Sequence, residues 1–345
     1  MTAKNRIYYL DLVRLLACVM VIVMHAPMPG MGTSGMLLST VSFLTAPCIG
    51  LFFMVSGALL LPVQVTSWQF LKRRLGKVVW PTLIWTFVYM FVCIIEGRIR
   101  IDELPHTILS IPFSSQAYGV TWFMYVLCGL YLMAVVVSPW LKQASCRDVE
   151  LLLALWGCTL CWPMLKLFLT VQEGNNSMLY YFAGYGGYFI LGYYMQRFKP
   201  RWPLPVSLLL LVVPIIVAIV CKIKGLVVDF YSVFWYLSLF VAMMCIAWFD
   251  IIRRIFERRN IKSWIVLFSN LSFGVYLIHI LVMRHFIWHI SFVTSHGGFF
   301  QIVITIILTL FLSFVISYVL SLLPIGTYLV GYHKKRPIFS APEGL

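Results

Sequence analysis

Apolar runs of spanning length constrain this chain more than any other feature. Stretches of about twenty mostly apolar residues follow one another almost without interruption. Each is long enough to cross the hydrocarbon of a bilayer. A backbone inside lipid has no water to bond to, so such a run must be a helix or a barrel strand. Barrel strands are short and alternate in polarity, whereas these runs are long and continuously apolar. Helices are expected near 7–26, 37–61, 78–96, 119–139, 149–169, 179–196, 204–222, 231–250, 264–283 and 299–323. The connections are short, and only 11% of the 345 residues are charged, against roughly a quarter in soluble proteins. The expected fold is all-α: a polytopic bundle of about ten transmembrane helices, one domain over 1–345 with a short cytoplasmic tail, 324–345.

The net charge of +15 reports topology. One side of the expected bundle collects nineteen Lys and Arg: Lys4 and Arg6, the run Lys72, Arg73, Arg74 and Lys77, and later clusters at 142–147, 197–201, 253–262 and 334–336. The other side has five, at Arg98, Arg100, Lys222, Lys224 and Arg284, with Arg14 and Lys166 inside helices. This asymmetry places both termini in the cytoplasm of a multi-pass inner-membrane protein. The basic excess then serves orientation and contact with membrane lipid rather than nucleic acid.

Other features are weaker. The nine cysteines fall mostly inside apolar runs. Cys158-x-x-Cys161 lies within a span and lacks the strand–helix context of a redox motif. The first span carries Asp11 and Arg14 and lacks a small-residue cleavage site, so it is expected to remain as a helix. The segments 97–118, with Pro105, Pro112 and Ser114-Ser115, and 284–298 are the larger outer connections. The sixth span is rich in Gly and Tyr, which reads as close packing through small residues.

The first helix carries the chemistry. Ionisable groups in a membrane are costly and face a partner or a cavity. Arg14 and His25 are eleven residues apart, which returns them to one helix face about 16 Å apart along the axis. Asp11 precedes Arg14 by three residues and is expected to pair with it. Phe52–Gly57 reads FFMVSG near the inner end of helix two and includes Ser56. The basic run 72–77 follows and leads to Pro81. Arg73 and Arg74 could face anionic lipid, or the phosphates of a soluble polyanion, which guanidinium forks match. Thr121-Trp122-Phe123 opens helix four. Leu271–His279 reads LSFGVYLIH in helix nine and puts His279 toward the outer face, beside a candidate role for His25.

In this order these motifs resemble the acyltransferase 3 family: Arg14-x10-His25, FFMVSG, the Arg-rich segment before Pro81, Trp122-Phe123 and the YLIH of helix nine. The resemblance spans essentially the whole chain. It implies an acyl-CoA donor at the cytoplasmic side, acetyl-CoA being commonest and succinyl next, and a carbohydrate hydroxyl as acceptor beyond the membrane. It implies that Arg14 and His25 are catalytic, and that Arg14, Arg73, Arg74 and Ser56 bind the donor. His279, Trp122 and Asp11 would support that site from behind. No metal is implied, and self-association is left open. Many members have a histidine where this chain has Thr121, which weakens a role for that position. Many also carry a hydrolase-like domain after further spans. Here about twenty residues follow the tenth span, which reads as the stand-alone form.

The implied route is that the pantetheine arm tracks the Arg14–His25 face and delivers the thioester to His25. This histidine would act as general base on the sugar hydroxyl or accept the acyl group itself. Competing readings are a transporter or flippase that moves a glycan or acylated intermediate without bond-making, and a membrane sensor. The first predicts dependence on an ion gradient rather than on acyl-CoA. The second predicts that Arg14 and His25 tolerate replacement.

Overall fold

The computed structural model describes residues 6–28, 35–114, 121–170, 176–226 and 230–334. In chain order its α-helices are α1 (Tyr8–His25), α2 (Gly35–Thr45), α3 (Pro47–Leu60), α4 (Ser67–Ile95), α5 (Leu104–Ser110), α6 (Trp122–Gln143), α7 (Cys146–Thr159) and α8 (Trp162–Leu165). These are followed by α9 (Gly186–Arg197), α10 (Leu204–Ile223), α11 (Phe230–Val233), α12 (Leu239–Phe256), α13 (Ser263–His285), α14 (Ser291–Thr294), α15 (Gly298–Ser321) and α16 (Gly326–Val330). Among the described residues there is no strand, so the all-α polytopic expectation holds.

Eight helical segments are long and apolar enough to cross a membrane, with α2 and α3 together forming one of them, Leu37–Leu60. The other two expected spans differ for separate reasons. Helix α9 has only 12 residues, about 18 Å of helix. Helix α12 begins eight residues later than the apolar pattern suggests. Ser238 caps it, its side chain accepting from Val241 N–H, and Asp250, Arg253 and Arg254 lie within it. These three charges satisfy one another, with Arg253 Nη2 donating to Asp250 Oδ1 at 2.6 Å and Arg254 Nε to Oδ2. A boundary drawn where charge begins therefore stops too early.

Two further expectations need correction. Helix α4 starts at Ser67, not near 78, because Thr66 caps it by accepting from Gln69 N–H. Its 29 residues extend about 43 Å, beyond the ~30 Å of hydrocarbon, so the basic run 72–77 rides on a helix that leaves the apolar layer. Lys166 lies outside α7 and α8 and is exposed, since Pro163 interrupts the span. In the expected tail, α16 docks on the bundle: Val330 is buried, and Trp85 Nε1 donates to Leu329 O at 2.9 Å. Of the tail, 335–345 lie outside the described residues, as do Lys4 and Ser115.

Helix α3 is the centre. Of the best apolar window of Leu37–Leu60, 83% is buried inside the protein, against 17% for α10. The centre is dense because backbones meet there. A Cβ at Gly57 would sit 1.7 Å from Phe189 O, and one at Gly192 1.9 Å from Met54 O. Helices α3 and α9 thus approach through reciprocal glycines, which bears out the packing reading of the Gly-rich sixth span. Helices α1 and α12 pack on α3, and α1 packs also on α13. Asp11 of α1 is level with Ser269 of α13, and Leu271 of α13 with Ser317 of α15. The described ends of the chain therefore lie at one end of the bundle.

Candidate active site

Helix α1 is unbroken from Tyr8 to His25, so the spacing argument holds and Arg14 and His25 share a face. The Asp11 pairing does not hold. Asp11 receives Arg6 Nε at 2.7 Å and Arg6 Nη2 at 2.8 Å, with Ser269 Oγ at 2.7 Å. Arg6 also donates to Asn270 Oδ1. Arg6 lies back over the helix start, and its planar fork takes both carboxylate oxygens. Asp11 is thus a tie between α1 and α13, and Arg14 is left without a hydrogen bond or ion pair among the described residues. It keeps partial accessible surface deep in the bundle. Asp11 still acts on it electrostatically, as do the Tyr131 phenol and, less strongly, Arg6 and Arg74.

The other donor-binding candidates separate. Phe70 and Arg74 occupy one α4 face, and Phe70 packs edge-on against Tyr131, so Arg74 turns toward Arg14. Arg73 is one residue away, a rotation of about 100°; both arginines are exposed and make no ion pair among the described residues. Ser56 Oγ donates to Phe52 O at 2.9 Å in its own helix, so its proton is not free to bind a ligand.

At the far end of α1, His25 and His279 come together. Their rings meet edge to face at 5.4 Å between centroids. His25 Nδ1 lies 3.1 Å from Val21 O, and His279 Nδ1 lies 2.6 Å from Tyr276 O. A carbonyl only accepts, so both Nδ1 atoms carry the proton and both Nε2 atoms present a lone pair. His279 is fully buried, and its Nε2 has no partner among the described residues. His25 keeps accessible surface. Arg284, five residues beyond His279 on α13, acts electrostatically on both rings.

Aromatic rings wall this pair. Tyr276 contacts His279 at 5.7 Å and Phe123 at 5.1 Å, and Phe123 stacks on Phe53 at 4.8 Å. Trp122 packs on Tyr185 at 5.7 Å and Tyr236 at 5.8 Å. Tyr236 donates to Met24 Sδ at 3.1 Å, beside His25. The starts of α6 and α9 and the turn before α12 therefore converge inside the bundle. Trp122 belongs to this wall, and the buried Thr121 stands just beneath it. Sequence reasoning found Trp122, His279 and, within the YLIH motif, Tyr276, but not Tyr185 or Tyr236, whose signal was only their place in aromatic-rich segments.

It also missed Gln301. This fully buried amide donates to Ala26 O at 3.2 Å and to Thr305 Oγ1 at 2.8 Å, and accepts from Met28 N–H at 3.4 Å. It satisfies the carbonyl end of α1 directly after His25. A lone glutamine in the apolar run Phe299–Ile307 was the available signal.

The arrangement offers a guanidinium without an ion pair among the described residues and, on the same face of α1, His25, whose imidazole meets that of His279 from α13 inside a wall of aromatic rings. Among the described residues no cluster of His, Cys, Asp and Glu could hold a metal ion. No curated protein and no solved structure matches the chain. A family model does, the acyltransferase domain of the acyltransferase 3 family, over residues 7–321. That match covers nearly all of the chain and every motif gathered here, so the chain is a membrane acyltransferase belonging to the acyltransferase 3 family.

Proposed function

We propose that this protein moves an acyl group, acetyl above all, from coenzyme A at the basic end of the bundle to a carbohydrate hydroxyl at the opposite end. Both termini then face the cytoplasm of an inner membrane. The observation that carries the reading is the unpaired Arg14 on the same face of α1 as His25, about 16 Å away. A guanidinium inside the bundle with no hydrogen bond or ion pair among the described residues is open to an anion from outside the protein. Arg74 beside it makes this the place for donor phosphates or polarised carbonyls, and the pantetheine arm, on the order of 15 Å, spans the distance to His25.

His25, the accessible ring, is the base. Its Nε2 takes the proton of the acceptor hydroxyl as that oxygen bonds to the thioester carbonyl carbon. The tetrahedral adduct collapses by breaking its carbon–sulfur bond, and the departing thiolate takes the proton from the imidazolium. An ester and free coenzyme A result. His279 stands behind His25, and the aromatic wall keeps water from the thioester. The test is acyl transfer to surface glycans, followed by mass spectrometry with and without the protein. Loss of a glycan acyl group in its absence supports the reading. Unchanged glycans, with no acyl-CoA turned over by the purified protein, overturn it.

A further inference from the structure

A second concave site lies at the basic end of the bundle. A cavity of about 540 Å³ opens between the ends of α3, α6 and α9. Its volume is that of a small-molecule site. Its polar lining is Gln64, Lys142, Tyr193, Gln196, Arg197 and Lys199, three cations and no carboxylate. Lys199 is paired with Glu257 at 2.5 Å. Lys142 and Arg197 make no ion pair among the described residues, so the cavity holds two uncompensated positive charges.

The wall bearing these cations is built, not draped. Arg253, buried in α12, donates to Met195 O at 3.1 Å and to Pro200 O at 2.9 Å, on either side of Arg197 and Lys199. Asp250 holds Arg253 and also accepts from Ser207 Oγ at 2.6 Å, and Ser207 Oγ accepts from Trp202 Nε1 at 2.8 Å. Lys199 sits at φ 47°, a left-handed conformation that costs energy for a residue with a side chain. Gln196 accepts a hydrogen bond from Tyr9 of α1. A basic loop serving only orientation needs no buried support. This one is fixed on both flanks and turned into a cavity.

We propose that this cavity binds the phosphate groups of an anionic ligand, with the Arg197 fork and the Lys142 ammonium as its charged contacts. Two sources share that chemistry: the nucleotide end of an acyl carrier and a phospholipid headgroup. The cavity is level with Tyr9, about 24 Å along α1 from His25, so bound phosphate is remote from the histidine pair. The site stands whether or not His25 transfers an acyl group.

The test uses the full-length protein in an uncharged detergent and two acyl-free or non-reacting probes, adenosine 3′,5′-bisphosphate and short-chain phosphatidylglycerol. Binding is measured by calorimetry for wild type, for Lys142→Gln with Arg197→Gln, and for Arg147→Gln, an exposed cation off the cavity. Both cavity side chains are exposed and outside the supporting network, so folding should survive, and thermal unfolding checks this. Should the double variant unfold, the Lys142→Gln single variant replaces it. The expected result is a tenfold or greater loss of affinity for at least one probe in the cavity variant and none in Arg147→Gln. Loss for the bisphosphate alone assigns the nucleotide, and loss for the lipid alone assigns the headgroup. Wild type binding neither probe, or the cavity variant binding both as wild type does, overturns the proposal.

Discussion

At the scale of single residues, His25 and Arg14 should fail in different ways. His25→Ala should cut acyl transfer by roughly 10² to 10⁴, the usual worth of a general base, while acyl-CoA binding stays near wild type. His279→Ala should leave more turnover, because His279 is buried behind His25. The reverse order in a parallel assay would move the base to α13. Arg14→Gln should weaken donor binding with little loss of stability, since none of the described residues forms an ion pair with it. Asp11→Ala is the opposite case. It strands Arg6 and unties α1 from α13, and with Arg6 partly exposed it should cost about 2–3 kcal/mol, read as a lower unfolding temperature in detergent. Arg74→Ala should reduce donor affinity several-fold and Arg73→Ala should not, because only Arg74 turns toward Arg14. Equal effects would return both to lipid contact.

At the scale of elements, the helix α3–α9 contact is the seam on which the site depends. Phe52 and Phe53 reach the aromatic wall from α3, and Tyr185 precedes α9. Gly57→Ala and Gly192→Ala each drive a methyl group into a carbonyl of the facing helix. Each should cost at least 1–3 kcal/mol, as overpacking does, and lower both the unfolding temperature and the yield of monodisperse protein. Gly129→Ala is the control, since nothing lies within 4 Å of its added carbon. Unfolding temperatures for the three variants check this directly, and three equal values would mean that α3 and α9 are not so close. The sixth span was legible as a Gly-rich packing helix. Its length of 12 residues was not, because hydropathy continues through 179–185 while the backbone turns to deliver Tyr185.

At the scale of the whole molecule, the basic asymmetry predicts which way the bundle sits. A cysteine introduced at Lys72, on the α4 extension, should be protected from an impermeant thiol reagent added outside intact cells, and one at Ser114 should react, each read against the wild-type thiols. Labelling in the opposite sense would invert the proposed direction of transfer.

Much of this protein was written in local sequence. The period and length of the apolar runs fix the helices, because a backbone in lipid has no other way to satisfy itself. The eleven-residue interval fixes Arg14 and His25 on one face, because helix geometry is rigid over three turns. Contacts between distant segments were decided elsewhere. The sequence places Arg14 next to Asp11, but Arg6 folds back and takes the carboxylate. It offers His25 and His279 as rivals 254 residues apart, and only the packing of α1 on α13 makes them neighbours. It cuts α12 at its first charge, and only the closure of Asp250, Arg253 and Arg254 on one another lets the helix run on. Each of these outcomes turns on which partner reaches a charge or a lone pair first, and that is set by tertiary distance rather than by spacing along the chain.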